Sequence, residues 1–173
     1  LDTFLKSSDS HSLILEDDLE VNSPIEPILE HCLKYRKYYD LLKLSGLHNG
    51  SPSKIFQIDT KFNLSINLTQ QTGSGAYLVN RHAAKQIVSN LIPMWLPFDH
   101  AFDREWVFGI KTMRVDPFPF SQNTTNESQI VIDRKKYKLS KIVRLPVLIF
   151  RAYNEISRIY FRSLQISKHR LER

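Results

Sequence analysis

Cysteine is nearly absent from this chain of 173 residues, and long hydrophobic runs are missing. The single cysteine, Cys32, cannot form an intramolecular disulfide, and no spacing of Cys and His is typical of a zinc site. No run of 18 apolar residues occurs, so the sequence predicts no transmembrane helix, and its first residues do not resemble a signal peptide. We therefore expect a cytoplasmic protein in a reducing compartment.

Positive charge is concentrated toward the C-terminal end. Residues 134–173 contain 12 Lys and Arg against two acids, a net charge of +10, whereas residues 1–133 contain 12 against 16, a net charge of −4. The hydrophobic content of 42% and the charged content of 24% are ordinary for a globular protein. We therefore predict one domain over residues 1–133 and a basic C-terminal tail over residues 134–173.

The hydrophobic pattern predicts strands and helices that alternate along the middle of the chain. Strands are expected at residues 12–15, 40–44, 55–58, 62–68, 76–79 and 113–120. Helices are expected at residues 1–6, 24–39, 81–91 and 98–108, the third of them capped by Asn80. This alternation predicts an α/β fold.

Three consecutive carboxylates, Glu16-Asp17-Asp18, follow the apolar run at residues 12–15. In an extended chain Glu16 and Asp18 would point to one face and Asp17 to the other. Magnesium and manganese prefer oxygen ligands and commonly take only one or two protein carboxylates, with substrate phosphates completing the coordination. The pattern predicts a metal-assisted site at the carboxyl edge of a sheet; a solvated turn after the strand is the simpler alternative.

A second acidic segment covers residues 97–106. If it is helical, Asp99 and Asp103 lie four residues apart on one face, with Phe98 and Phe102 on the neighbouring face. Like charges at this spacing are slightly unfavourable, and a cation, a sugar hydroxyl or Arg104 would offset them. The alternative is an exposed helix end whose aromatic residues anchor the core.

The glycine-bearing turn Gly73-Ser74-Gly75 precedes a predicted strand that contains Tyr77. It lacks the full dinucleotide or P-loop pattern, so the turn alone does not predict phosphate binding. Glycines here allow either a tight turn or the close approach of a ligand to the backbone. Tyr77 is a candidate to line a sugar site, and packing in the core is the alternative.

Four blocks, in this order and spacing, resemble glycosyltransferase family 25, the lipooligosaccharide and lipopolysaccharide galactosyltransferase-like enzymes of bacteria. The resemblance extends over about residues 1–120. The blocks are Leu13-Ile14-Leu15-Glu16-Asp17-Asp18, Lys43-Leu44-Ser45-Gly46, the segment from Thr72 to Ala84, and Pro97-Phe98-Asp99-His100 with Asp103.

The resemblance implies a GT-A-like, Rossmann-like sheet flanked by helices, and inverting transfer of a hexose from a UDP-sugar. We expect galactose as the hexose, and a lipooligosaccharide, lipopolysaccharide or related surface glycan as the acceptor. The expected cofactor is Mn²⁺ or Mg²⁺, held by Asp17 and Asp18, and the expected catalytic base is Asp99 or Asp103. The expected donor-binding residues are Glu16, Asp17, Asp18, Gly73, Ser74, Gly75 and Tyr77.

Members of this family begin with a further strand–helix segment that carries part of the nucleotide pocket, and this chain starts after it. We therefore expect an N-terminally incomplete glycosyltransferase domain. Two other functions remain open at this point. One is a non-catalytic remnant or accessory domain of the same fold, and the other is a metal-dependent phosphohydrolase that uses the same acids.

The basic tail predicts an amphipathic helix over residues 145–166. Its apolar stripe contains Ile149, Tyr153, Ile156, Tyr160 and Leu164, and the adjacent stripe contains Arg151, Glu155, Arg158 and Arg162. This pattern favours an anionic membrane surface, so the enzyme would lie on the inner face of the plasma membrane near a lipid-linked saccharide acceptor. A helix packed on its own domain with its basic residues in water is the alternative. Nucleic acid is not an expected partner, because no binding motif accompanies the charge.

Overall fold

The structure of the protein is a computed structural model that describes residues 1–122 and 141–172. The helices are α1 (Asp2–Lys6), α2 (Ile25–Lys34), α3 (Arg81–Leu91), α4 (Phe98–Phe102), α5 (Glu105–Phe108) and α6 (Lys141–Leu171). The strands are β1 (His11–Leu15), β2 (Leu19–Val21), β3 (Leu41–Lys43), β4 (Pro52–Gln57), β5 (Asn63–Asn67), β6 (Ala76–Asn80), β7 (Thr112–Asp116) and β8 (Phe120–Gln122). The predicted α/β class is confirmed.

Six strands form a mixed sheet in the order β1-β6-β3-β7-β5-β4, an arrangement compatible with a Rossmann-like fold. Strands β3 and β7 pair in parallel, and the other neighbours pair antiparallel. It follows that β1, β3 and β7 run in the same direction, so their carboxyl ends meet at one edge of the sheet. Strands β2 and β8 form a separate antiparallel pair.

Helices cover both faces of the sheet, because alternate residues of each central strand point to opposite sides. Leu42 and Leu78 pack into a core with α2, which contributes Ile28 and Cys32. On the opposite face, residues of β3 and β6 pack against α1, α3, α4 and α5. This second core contains Phe4, Leu41, Tyr77, Val79, Ala83, Ala84, Ile87, Phe102 and Phe108.

Local patterns predicted several elements closely. Helix α3 has the predicted bounds, and the side chain of its N-cap, Asn80, accepts a hydrogen bond of 2.8 Å from the Ala83 amide. Strand β3 lies inside the predicted range 40–44. Both elements combine a strong apolar pattern with local stop or start signals, which explains the agreement.

Three predicted elements are shorter than expected. The predicted helix at 98–108 is wrong, because the chain forms the short helices α4 and α5 with a break at Asp103-Arg104. The helix predicted through residue 39 ends at Lys34, and a single 3₁₀ turn follows. The strand predicted over 113–120 stops at Asp116, because prolines follow at residues 117 and 119. The proposed domain boundary at residue 133 lies outside the described residues.

Helix α6 packs on the domain through polar residues and exposes its apolar stripe. Asn154, Arg158, Arg162, Ile166 and His169 are buried, whereas Ile156 is 69% exposed and Tyr160 is 67% exposed. The expectation that a packed helix would leave its basic residues in water is therefore wrong for Arg158 and Arg162. Within the described ranges, no helix combines the length and the apolar character needed to cross a membrane.

Buried ion pairs explain this orientation of α6. Arg162 lies 2.9 Å from the carboxylate of Asp103 and also forms a two-point contact with Glu105. Arg158 of the same helix and Lys43 of β3 each lie 3.2 Å from Asp103. Because buried carboxylates are stable only when they are paired, the two acids require the basic side of the helix to face inward.

Replacing Arg162 with methionine should destabilise the fold strongly. Arg162→Met keeps an apolar stem of similar length but leaves two buried carboxylates short of a partner, so we expect a loss of about 3–5 kcal/mol in the free energy of unfolding. Urea denaturation of the purified chain measures this loss. The matched control, Arg170→Met, changes an exposed arginine of the same helix and should alter stability by less than about 0.5 kcal/mol. Equal effects of the two substitutions would show that the buried ion pairs do not hold α6.

Candidate functional site

The three acids lie where the carboxyl end of β1 reaches the edge of the sheet. Strand β1 ends at Leu15, and the Glu16 amide donates a hydrogen bond of 2.7 Å to the carbonyl of Gly75. Asp17 and Asp18 form the exposed turn that leads into β2. The expected extended alternation of the three side chains is wrong, because the chain turns immediately after Glu16. Strand β1 is half-buried and is the outermost strand on its side of the sheet.

The glycine turn packs backbone against backbone at the same edge. Gly73 has φ = +105°, and a Cβ added there would lie 3.0 Å from the Leu47 nitrogen and 3.1 Å from the Gly46 Cα. At Gly75 an added Cβ would lie 3.0 Å from the side chain of Leu19 and 3.3 Å from a carboxylate oxygen of Glu16. Glycine is thus required by close approach within the chain itself. The hydroxyl of the intervening Ser74 lies 3.5 Å from Glu16.

Lys43 and Ser45 lie in one of the four blocks of the resemblance but were not among the predicted site residues, and the structure shows that they organise this edge. The hydroxyl of Ser45 accepts a hydrogen bond of 2.7 Å from the Ala76 amide, which holds the start of β6. The ammonium of Lys43 is buried and donates to the carbonyl of Gln71 at 2.6 Å as well as to Asp103. A lysine inside an otherwise apolar strand was the one sequence signal that could have identified this position.

Tyr77 belongs to the core and also lies near the acids. Its ring packs 4.8 Å from that of Phe102, measured between centroids, and 4% of the residue is exposed. Burial and, to a smaller extent, the negative charge of Glu16 raise the pKa of Tyr77 to about 12. The phenol is therefore protonated at neutral pH.

Asp99 lies at the start of α4 and is partly exposed. Its carboxylate accepts a hydrogen bond of 2.9 Å from the amide of His100. The His100 ring in turn lies 3.1 Å from the side-chain nitrogen of Gln70, so α4 is linked to the segment that precedes the glycine turn. Asp99 thus keeps an oxygen available for another group.

Asp103 has a structural environment that differs completely from that of Asp99. It is fully buried, and its second oxygen accepts a hydrogen bond of 2.9 Å from the Gln71 amide. Burial raises the pKa of Asp103, but the charges of Lys43, Arg162 and Arg158 outweigh this effect and hold that pKa below its usual value. A carboxylate held in this way is a poor proton acceptor.

Two of the predicted site residues, Glu16 and Asp103, contact one segment, residues 69–77. Glu16 contacts the glycine turn, Asp103 binds the backbone of Gln71, and His100 contacts Gln70. The acidic blocks at residues 16–18 and 99–103 therefore both border this segment. Their approach was not readable from the sequence, because about 80 residues separate them.

The acids at 17 and 18 suit a cation that keeps several non-protein ligands. Both carboxylates are exposed, and within the described structure neither makes a hydrogen bond or an ion pair. Among the described residues no group of three or more His, Cys, Asp or Glu side chains is arranged to hold a metal ion. Two exposed carboxylates are the number that Mg²⁺ or Mn²⁺ commonly takes from a protein when water and phosphate oxygens complete the coordination, so a metal at Asp17 and Asp18 stays a prediction.

Comparison with known proteins does not identify the chain. No model of a protein family matches the sequence, and no curated protein is significantly similar to it.

Alanine at Gly73 should damage the sheet edge more than alanine at Gly109. Both glycines have positive φ, but only Gly73 has backbone atoms within 3.1 Å of the added Cβ, and the space around Gly109 is open. We expect Gly109→Ala to lower the free energy of unfolding by about 1 kcal/mol, from backbone strain alone. Gly73→Ala should cost about 1–3 kcal/mol more, since loops at the edge must also move apart. Chemical denaturation of both variants measures the difference, and equal losses would contradict the close packing.

Proposed function

We propose that this chain is part of a glycosyltransferase with a GT-A-like fold, which transfers a hexose from a UDP-sugar to a surface-glycan acceptor with inversion. We expect galactose as the hexose and a lipid-linked lipooligosaccharide or lipopolysaccharide saccharide as the acceptor. The observation that carries the proposal is the position of Glu16, Asp17 and Asp18 at the carboxyl edge of the sheet, directly beside the glycine turn. Open α/β sheets bind their ligands at this edge.

On the donor side, Asp17 and Asp18 would hold Mn²⁺ or Mg²⁺ through their exposed carboxylates. When bound, the cation supplies positive charge against the diphosphate of the donor. Ser74 and the phenol of Tyr77 border Glu16 and offer hydrogen-bond donors to sugar or phosphate oxygens. Gly73 and Gly75 let the turn pack closely against residues 46–47 and Glu16, which places Ser74 beside Glu16.

On the acceptor side, Asp99 is the proposed base. An acceptor hydroxyl attacks the anomeric carbon, the bond from that carbon to the UDP oxygen breaks, and the hydroxyl proton passes to Asp99. UDP departs with the electron pair of the broken bond. Asp103 is not assigned this role, because three cations lower its pKa and its oxygens are already engaged. Its part is to hold the segment around Gln71 in place.

Substitution of the two acid sites should separate binding from chemistry. In the full chain, Asp17→Asn with Asp18→Asn should abolish manganese-dependent binding of UDP-galactose, measured by calorimetry. Asp99→Asn should leave that binding intact and lower the transfer rate by about a hundredfold to ten-thousandfold, since a general base is removed. The matched control, Asp2→Asn, changes an exposed acid of α1 and should leave both measurements unchanged. Wild-type transfer rates in both acid variants would contradict the proposal, and metal-dependent hydrolysis of phosphate esters without UDP-sugar binding would favour a phosphohydrolase.

The exposed stripe of α6 supports the further proposal that the protein lies on an anionic membrane. Its apolar residues face outward because the ion pairs turn the basic side inward, and Arg144, Arg151, Lys168 and Arg170 remain exposed on the same helix. Apolar surface beside exposed positive charge is the combination that binds anionic lipid surfaces. A membrane position would bring the site to a lipid-linked acceptor.

Vesicle binding tests this surface. We expect Ile156→Glu with Tyr160→Glu to reduce binding to phosphatidylglycerol vesicles at least about tenfold in a sedimentation assay, without a change in the melting temperature. The matched control, Val21→Glu with Leu47→Glu, introduces the same charge at exposed apolar residues outside α6 and should leave vesicle binding unchanged. Equal losses in both double variants would assign the effect to net charge and would contradict a role for the α6 stripe.

A further inference from the structure

A cleft of about 580 Å³ lies between α6 and the segment from Leu96 to Arg104. Its volume falls within the range of sites that bind small ligands. The lining is unusually rich in positive charge, and it includes Pro97 and His100, which flank Asp99. The charged residues that line it are Arg104, Arg151, Arg158 and Glu155.

Arg104 is the unusual member of this lining. Its guanidinium lies over the rings of Trp95, Phe150 and Trp106, at 5.1, 5.5 and 6.0 Å from their centroids. Within the described part of the chain, no carboxylate lies within 4 Å of it, and its buried Nε makes no hydrogen bond. Burial and, to a smaller extent, the positive charge of Arg158 lower the pKa of Arg104, which reflects the cost of a positive charge among aromatic rings.

The other arginines of the cleft differ in how they are neutralised. Arg158 lies 2.5 Å from Glu155 and 3.2 Å from Asp103, so its charge is already compensated. Arg151 is exposed and, within the described residues, forms no ion pair. Two positive charges of the cleft, on Arg104 and Arg151, therefore remain available to an anion.

Apolar surface borders the same cleft. Val147 and Phe150 line it, and the ring of Trp95 lies 5.8 Å from that of Phe150. Trp95 is 67% exposed and Val147 is 42% exposed. The cleft thus joins a basic interior to an apolar rim formed by Val147, Phe150 and Trp95.

We propose that this cleft binds the phosphate group of an amphiphile, with Arg104 and Arg151 contacting the phosphate oxygens and the apolar part resting on the exposed rim. Guanidinium groups match phosphate oxygens in geometry and form strong charge-assisted hydrogen bonds with them. The inference rests on the proposed function only in identifying the amphiphile as the lipid-linked acceptor. The position of His100 in the lining would then bring that acceptor beside Asp99.

Tryptophan fluorescence offers a direct test, because the sequence contains only two tryptophans and both lie against Arg104. The full chain is titrated, without any sugar donor, with monomeric dihexanoyl phosphatidic acid, with inorganic phosphate and with dihexanoylglycerol. We expect a saturable change in emission with the phosphatidic acid, a weaker one with inorganic phosphate and none with dihexanoylglycerol. Arg104→Gln and, separately, Arg151→Gln should weaken binding of the phosphatidic acid by about tenfold to a hundredfold.

The matched control, Arg170→Gln, removes an exposed arginine at the far end of α6 and should bind as the unmodified chain does. Thermal melting of each variant establishes that it is folded. Because Arg151 is exposed, Arg151→Gln is not expected to disturb the fold. The proposal would be overturned if no saturable response were seen, or if both cleft variants bound the phosphatidic acid as tightly as the unmodified chain does. If inorganic phosphate bound as tightly as the phosphatidic acid, the apolar part of the ligand would contribute nothing, which would contradict binding of an amphiphile. If dihexanoylglycerol bound as tightly as the phosphatidic acid, recognition of the phosphate group would be contradicted. No donor is present, so the result is independent of the transfer assay that tests the proposed function.

Discussion

The burial of two carboxylates, Asp103 and Glu105, is the constraint on which the described structure depends. Each acid sits in an interior where an unpaired negative charge would be strongly unfavourable. Lys43 of β3 and Arg158 and Arg162 of α6 supply the compensating charge. The long C-terminal helix is therefore oriented by ion pairing, and the surface that it presents outward is apolar as a consequence.

The same cluster also holds the backbone beside the proposed site. Lys43 binds the carbonyl of Gln71, Asp103 binds the amide of the same residue, and Arg162 binds the carbonyl of Thr69. The segment before the glycine turn is thus fixed from both the sheet and α6. The two acids of the second acidic segment thus differ in role. Asp103 is buried and holds the fold through its ion pairs, whereas Asp99, four residues earlier, is partly exposed and is the proposed base.

Much of the fold and part of the site could be predicted from the sequence. Asn80 capped α3 as expected, and the acids at residues 16–18 reached the carboxyl edge of the sheet, because both depend on short-range order along the chain. The break at Asp103-Arg104 was missed, since the apolar spacing of residues 98–108 is compatible with one helix. The exposed turn at Asp17-Asp18 is the alternative that the sequence left open, whereas the extended alternation of the three acids was wrong, because their polar sequence does not distinguish a continued strand from a turn.

The sequence by itself determined the α/β class, the apolar cores and the presence of acids after β1, because periodicity and local caps act over a few residues. It also contained both stripes of α6. Only the tertiary structure decided which stripe faces inward, because that choice depends on Asp103 and Glu105, which are 59 and 57 residues from Arg162 in the chain, and on the cost of leaving them unpaired. The tertiary structure likewise decided that Arg104 lies among aromatic rings and that no described acid pairs with it, since its neighbours come from three separate segments.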